Sequence, residues 1–146
     1  MTARSLILAL GAAALAHGAM ADAVEGSWSF ETVNKAKGCT ITGKMTIEPS
    51  ETAVRACSFV SSEVCDWEPD RAVQVDQVCS LIEQGDRYVI RSQVVGALTE
   101  DYDIRFYNPD HFSVKLDNPS QMSGLWQDRN YTAPVVFQRD GNLPIS

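Results

Sequence analysis

The stretch CTITGKMTI, Cys39 to Ile47, decides the fold class. Cys39, Ile41, Met45 and Ile47 alternate with Thr40, Thr42, Lys44 and Thr46. A period of two marks a strand with one face buried. The same pattern runs outward in both directions. Trp28 and Phe30 alternate with polar neighbours upstream. Downstream, the turn Glu48-Pro49-Ser50-Glu51 leads to a strand through Val54, Ala56, Ser58 and Val60, whose apolar members are expected to face inward. The polar segment Cys65-Asp66-Trp67-Glu68-Pro69-Asp70 reads as a loop, and Val73, Val75, Cys79 and Leu81 as the next strand. Gln84-Gly85-Asp86 turns the chain into Tyr88, Ile90 and Val94. Tyr102, Ile104 and Phe106 are then expected to form a strand. Asn108-Pro109-Asp110 has turn chemistry, because Pro presets φ and Asn and Asp tolerate turn conformations. A three-residue loop there would set Phe106 against Phe112, Ile104 against Val114 and Tyr102 against Leu116, all on one face. Met122, Gly124 and Trp126 form a further strand, and Pro134 to Arg139 closes the chain. The expected fold is all-β: a single antiparallel eight- to nine-stranded barrel.

The N-terminus has a different character. Arg4 precedes an apolar run from Leu6 to Ala16, followed by the small-x-small sites Ala19-Met20-Ala21 and Ala21-Asp22-Ala23. Charge, length and cleavage pattern together predict a signal peptide over 1–21 and a barrel domain over 22–146. The apolar run is too short to span a bilayer as an uninterrupted helix, and no later run is longer. The domain is therefore expected to be exported, periplasmic or secreted, and monomeric. Over 22–146 there are 11 Lys and Arg against 19 Asp and Glu, a net charge of −8. That balance disfavours nucleic acid and anionic membrane surfaces, which need a basic face.

Cys39, Cys57, Cys65 and Cys79 all lie in the exported part. An even count in an oxidising compartment points to two disulfides. A hairpin folded near residue 68 would place Cys57 opposite Cys79, and Cys39 within reach of Cys65. The preferred pairing is Cys57–Cys79 with Cys39–Cys65, although four cysteines allow three pairings. The assumed inward set of Val54, Ala56 and Val60 turns Cys57 outward, so this pairing calls for a β-bulge. The spacings lack C-x-x-C and no His is near, which disfavours zinc. No metal and no cofactor is expected.

Gly26-Ser27-Trp28 on the first strand, with Arg139 ending the last, resembles the lipocalin-like (calycin) barrels. The last hairpin, Met122 to Trp126 and Val135 to Arg139, is similar to that of small exported eight-stranded barrels, and the whole of 22–146 more loosely resembles secreted proteobacterial proteins with this Cys and strand order. The resemblance implies that Gly26, Trp28 and Arg139 close the barrel, the guanidinium lying over the indole. The helix that precedes the family's last strand is missing here, so a roomy ligand cavity is not implied.

Little in the sequence points to catalysis. His111 is the one histidine after the signal, and the cysteines are expected to be paired, which leaves no evident nucleophile and base. The acidic clusters Glu100, Asp101, Asp103 and Asp66, Glu68, Asp70 lack calcium-loop spacing and read as solvated loops. The expected function is a non-catalytic binding module for a small apolar ligand, with Trp67, Tyr102, Phe106, Phe112 and Trp126 as the candidate binding surface. The alternative is a periplasmic protein-binding module such as a protease or lysozyme inhibitor, with Trp67 at the contact.

Overall fold

A computed structural model describes residues 24–141. The expected signal peptide lies outside them. Eight antiparallel strands close on themselves: β1 (Gly26–Asn34), β2 (Cys39–Ile47), β3 (Val54–Cys65), β4 (Glu68–Gln84), β5 (Arg87–Ala97), β6 (His111–Asn118), β7 (Gln121–Gln127) and β8 (Thr132–Arg139). Each strand pairs with the next, and β8 returns to β1 from Trp28↔Arg139 to Thr32↔Val135. Closure gives every strand two neighbours. No helix of the described residues is long and apolar enough to cross a membrane.

Alternation sorts the side chains. Trp28, Phe30, Ile41, Met45, Ile47, Phe59, Leu81, Ile90, Phe112, Val114, Met122, Trp126, Val135 and Phe137 are buried. Four phenylalanines fill the middle of the barrel. Phe30 lies 5.0 Å from Phe112 and 5.2 Å from Phe137, and Phe59 lies 5.6 Å from Phe30. Their mostly edge-to-face geometry is the favoured one for aromatic quadrupoles. An eight-stranded barrel is just wide enough for such filling.

At one end, the Trp28 indole N–H donates to the Val24 carbonyl at 3.0 Å. The Arg139 guanidinium lies 4.2 Å over the Trp28 ring and donates to the Glu25 carbonyl and, through Nε, to the Pro119 carbonyl. Gly26 has φ of 115°, and a Cβ there would meet Arg139 Nη1 at 3.0 Å. The three residues of the Gly-x-Trp and Arg pattern thus touch as one unit. The same end holds Arg55, buried between Glu25 (3.4 Å) and Glu83 (2.8 Å).

Both disulfides are formed as expected: Cys39–Cys65 and Cys57–Cys79. The phase assumed for β3 is wrong by one residue, however. Arg55, Cys57, Phe59 and Ser61 face inward, and Val54 is half exposed. Cys57 and Cys79 are direct register partners, both buried, so no bulge is needed between them. The carboxylates around Arg55 make its burial tolerable, which apolar patterning alone does not anticipate.

Two further expectations are corrected. The segment after Cys65 is a two-residue turn at Asp66 and Trp67. β4 begins at Glu68, and its register jumps from Cys65↔Glu68 to Val64↔Ala72. The expected strand at Tyr102 to Phe106, and with it the hairpin onto Phe112, does not form. Ile104–Phe106 is a single 3-10 turn, capped by Asp103, whose carboxylate accepts from the Arg105 backbone N–H and side chain. Asp101 sits at φ of 59°. β5 instead pairs with β6 over only Tyr88↔Val114, Val89↔Ser113 and Ile90↔Phe112. Local Asp side-chain bonds compete with ladder formation, and here they win.

Candidate functional sites

The five residues of the candidate binding surface do not converge. Phe112 and Trp126 belong to the core. Tyr102 is half-buried in the connection between β5 and β6. Trp67 is 65% exposed and Phe106 80% exposed. Both lie on connections at the end of the barrel opposite Trp28, since the β3–β4 and β5–β6 connections share that end.

Beneath these connections the barrel is polar. Residues 98–110 cross the mouth and insert Tyr107 and Asp110, 7% and 1% exposed. The Asp110 carboxylate accepts from Trp126 Nε1 at 2.7 Å, from Gln77 Nε2 at 2.7 Å and from the Tyr107 hydroxyl at 3.1 Å. Gln77 Oε1 accepts from the Asp110 backbone N–H at 3.0 Å, and Gln77 Nε2 also donates to Ser61 Oγ. Ser61 and Tyr107 hydroxyls lie 3.1 Å apart. Every polar atom of Gln77 is used, so the network locks the 98–110 segment onto the strands. The alternation of Thr32, Asn34, Ser61 and Gln77 with outward residues places a group of polar side chains inside at this end. Sequence patterning passes over them because polar residues on strands read as outward-facing.

Burial pushes the Asp110 carboxyl up to about 6, against the pull of its donors Trp126, Gln77 and Tyr107. Burial also drives the Tyr107 phenol well above its usual range, aided by the Asp110 charge. A carboxyl raised in the folded state holds its proton more tightly there than in the unfolded chain. Asp110 therefore favours folding most below about pH 4, and that contribution falls as pH rises to about 6. The rise from 3.8 to about 6 corresponds to on the order of 3 kcal/mol. Asp86, Asp103 and Asp117 are held low by hydrogen bonds from Lys115, Arg105 and Ser123, and oppose this trend only below about pH 4. Between pH 7 and pH 5 the wild-type thermal midpoint should therefore rise relative to that of Asp110→Asn, while His111, held low by burial and the Arg91 charge, acts against a rise equally in both proteins. Equal pH slopes for the two proteins in thermal scans would show that the Asp110 charge is not felt.

A second feature lies on the outer face. Two rows of outward residues cross five strands: Gln138, Ser29, Lys44 and Val60, then Val136, Glu31, Thr42, Ser62 and Gln74. Between them sits Gly43, opposite Phe30 in the ladder. A Cβ at Gly43 would lie inside van der Waals distance of the Phe30 ring and 2.7 Å from the Val60 carbonyl oxygen. With no side chain there, the Phe30 ring packs directly against the Gly43 backbone on the inner side. On the outer face, an open groove of about 790 Å³ is lined by both rows together with Gly43 and Phe30. Ligand sites commonly occupy about 300–1,000 Å³. Val60 and Val136 supply apolar surface, hydroxyls and amides flank it, and Glu31 and Lys44 add one charge of each sign.

No family model matches the chain, and no curated protein matches it. Solved structures do share its fold. It is similar to a de novo designed fluorescence-activating β-barrel at TM-score 0.61 and 13% identity, covering 82% of this chain and 96% of that one. A redesigned β-barrel aligns at TM-score 0.60 and 14% identity, covering 83% and 95%. Another, solved bound to DFHBI, aligns at TM-score 0.55 and 12% identity, covering 82% and 96%.

Proposed function

We propose that this protein is an exported, non-catalytic binding module of the calycin-like barrel type, and that a small, mostly apolar ligand binds its outer groove. The observation that carries the proposal is the groove itself. It is of ligand size, apolar at its floor and bounded by polar groups able to fix orientation. The Gly26, Trp28 and Arg139 contact supports the calycin-like assignment. Two disulfides favour an oxidising compartment, in keeping with a signal peptide over 1–21, a domain over 22–146 and a periplasmic or secreted location. That a redesigned relative in fold binds DFHBI supports the small-ligand class and not the place. The packed phenylalanines favour a site outside the barrel over one within it. A non-catalytic role is supported by four bonded cysteines and by His111, whose Nδ1 accepts from the Ser92 backbone N–H.

Nile red titration tests this. The wild type should give a saturable fluorescence rise, and Val60→Arg should weaken it at least about tenfold, or about 1.4 kcal/mol. An unchanged titration in Val60→Arg overturns the groove. A second reading, a protein-contact surface, rests on Trp67 and Phe106, two exposed aromatics at one end of the barrel. Under that reading dye binding is absent, and Trp67→Ala loses a partner captured from periplasmic extract.

A further inference from the structure

Where β5 leaves β6, the barrel wall has a second, independent cleft. The ladder between them ends at Ile90↔Phe112. Beyond it, the Ser92 backbone N–H donates to His111 Nδ1 at 3.0 Å instead of to a β6 carbonyl. This fixes the neutral ring with its proton on Nε2. The opening is a cleft of about 160 Å³ lined by Val89, Arg91, His111, Phe112, Ser113, Leu125 and Gln127. That equals roughly five waters' share of liquid volume.

The chemistry of the lining is asymmetric. Arg91 forms no ion pair with another described residue. The His111 Nε2–H and the Gln127 amide are further donors, and Arg87 lies just outside, its Nη1 3.3 Å from Ser113 Oγ. Val89 and Leu125, which is 51% exposed, form an apolar side. The carboxylate that acts on His111 is Asp128, and it already accepts from the Asn130 and Tyr131 backbone N–H groups at 2.8 and 2.7 Å.

We infer that the β5–β6 cleft binds a small organic monocarboxylate, its anionic head on Arg91 and His111 and its apolar part against Val89 and Leu125. Arg offers a planar fork that matches a carboxylate, and the neighbouring imidazole adds a donor that gains charge when the anion arrives. In the free protein, burial and then the Arg91 charge hold the His111 ring below its usual titration range. A bound anion reverses the second effect, so occupancy is readable as an upward movement of the His111 midpoint.

Benzoate is the probe, and the ¹H resonance of the His111 ring, assigned by its loss in His111→Gln, is the readout. Saturating benzoate should raise the His111 midpoint by at least about half a pH unit, while chloride at equal ionic strength leaves it in place. Arg91→Gln should weaken the benzoate effect about tenfold, and Arg91→Lys should weaken it less. The Trp126 indole signal, bonded to Asp110 in the core, reports that these variants stay folded. An absent benzoate shift, or one equally strong in Arg91→Gln, overturns the inference. Nile red binding in the outer groove is read separately, so either site can fail without the other.

Discussion

Gly124→Ala is expected to cost at least about 3 kcal/mol and to leave little folded protein. Gly124 faces inward on β7 between Met122 and Trp126, opposite Val114 on β6 and Val135 on β8. A Cβ placed there falls inside van der Waals distance of the Ser113 carbonyl oxygen and 2.8 Å from the Val114 Cα. Both are backbone atoms of a paired strand, so no rotamer change relieves the clash. β6 must move away from β7, and β6 is already held to β5 by only three register pairs. Urea unfolding monitored by tryptophan fluorescence measures the loss. A midpoint within experimental error of the wild type would show that the strands can part here at no cost. Gly96, by contrast, has open space around its Cβ position, so Gly96→Ala serves as the control.

Trp28→Ala should cost about 3–5 kcal/mol, as truncation of a large buried side chain does. Trp28 is fully buried at the floor of the barrel. Its removal opens a cavity beside Met45, its register partner, and leaves the Val24 carbonyl without its 3.0 Å donor. Arg139 loses the ring beneath its guanidinium but keeps its bonds to Glu25 and Pro119 carbonyls, so β8 should still close on β1. Loss of stability should therefore precede any loss of dye binding. Trp28→Phe, which keeps an aromatic face, should recover part of the loss. A cooperative Trp28→Ala variant with an unchanged urea midpoint would contradict this account of the floor.

What could be read in advance divides along physical lines. Eight strands were legible in period-two alternation, hairpin symmetry favoured the disulfide pairing that forms without deciding it, and the closing contact of Gly26, Trp28 and Arg139 was implied by the lipocalin-like resemblance. The phase of β3 was not legible. Arg55 and Ser61 look like surface residues, yet each is buried with partners from distant segments: Glu25 and Glu83 for Arg55, Gln77 and Tyr107 for Ser61. The 98–110 segment was misread for the same kind of reason. Tyr102, Ile104 and Phe106 alternate like a strand, but Asp103 and Asp110 form bonds that pull the chain off the ladder. The outer groove was invisible to patterning, since its lining is assembled from five strands. Its lining residues, Ser29, Thr42 and Ser62 among them, carry no chemical signature on their own.

The most direct test of the central claim is the place where a ligand touches the barrel. Backbone ¹H–¹⁵N spectra recorded while the protein is saturated with Nile red should show their largest shifts at Thr42, Gly43, Lys44, Val60, Ser62 and Val136. The Trp126 indole and Phe112 amide should stay in place. Shifts concentrated at Phe112, Met122, Ile90 and the Trp126 indole, with the groove amides unmoved, would put the ligand inside the barrel and contradict the account.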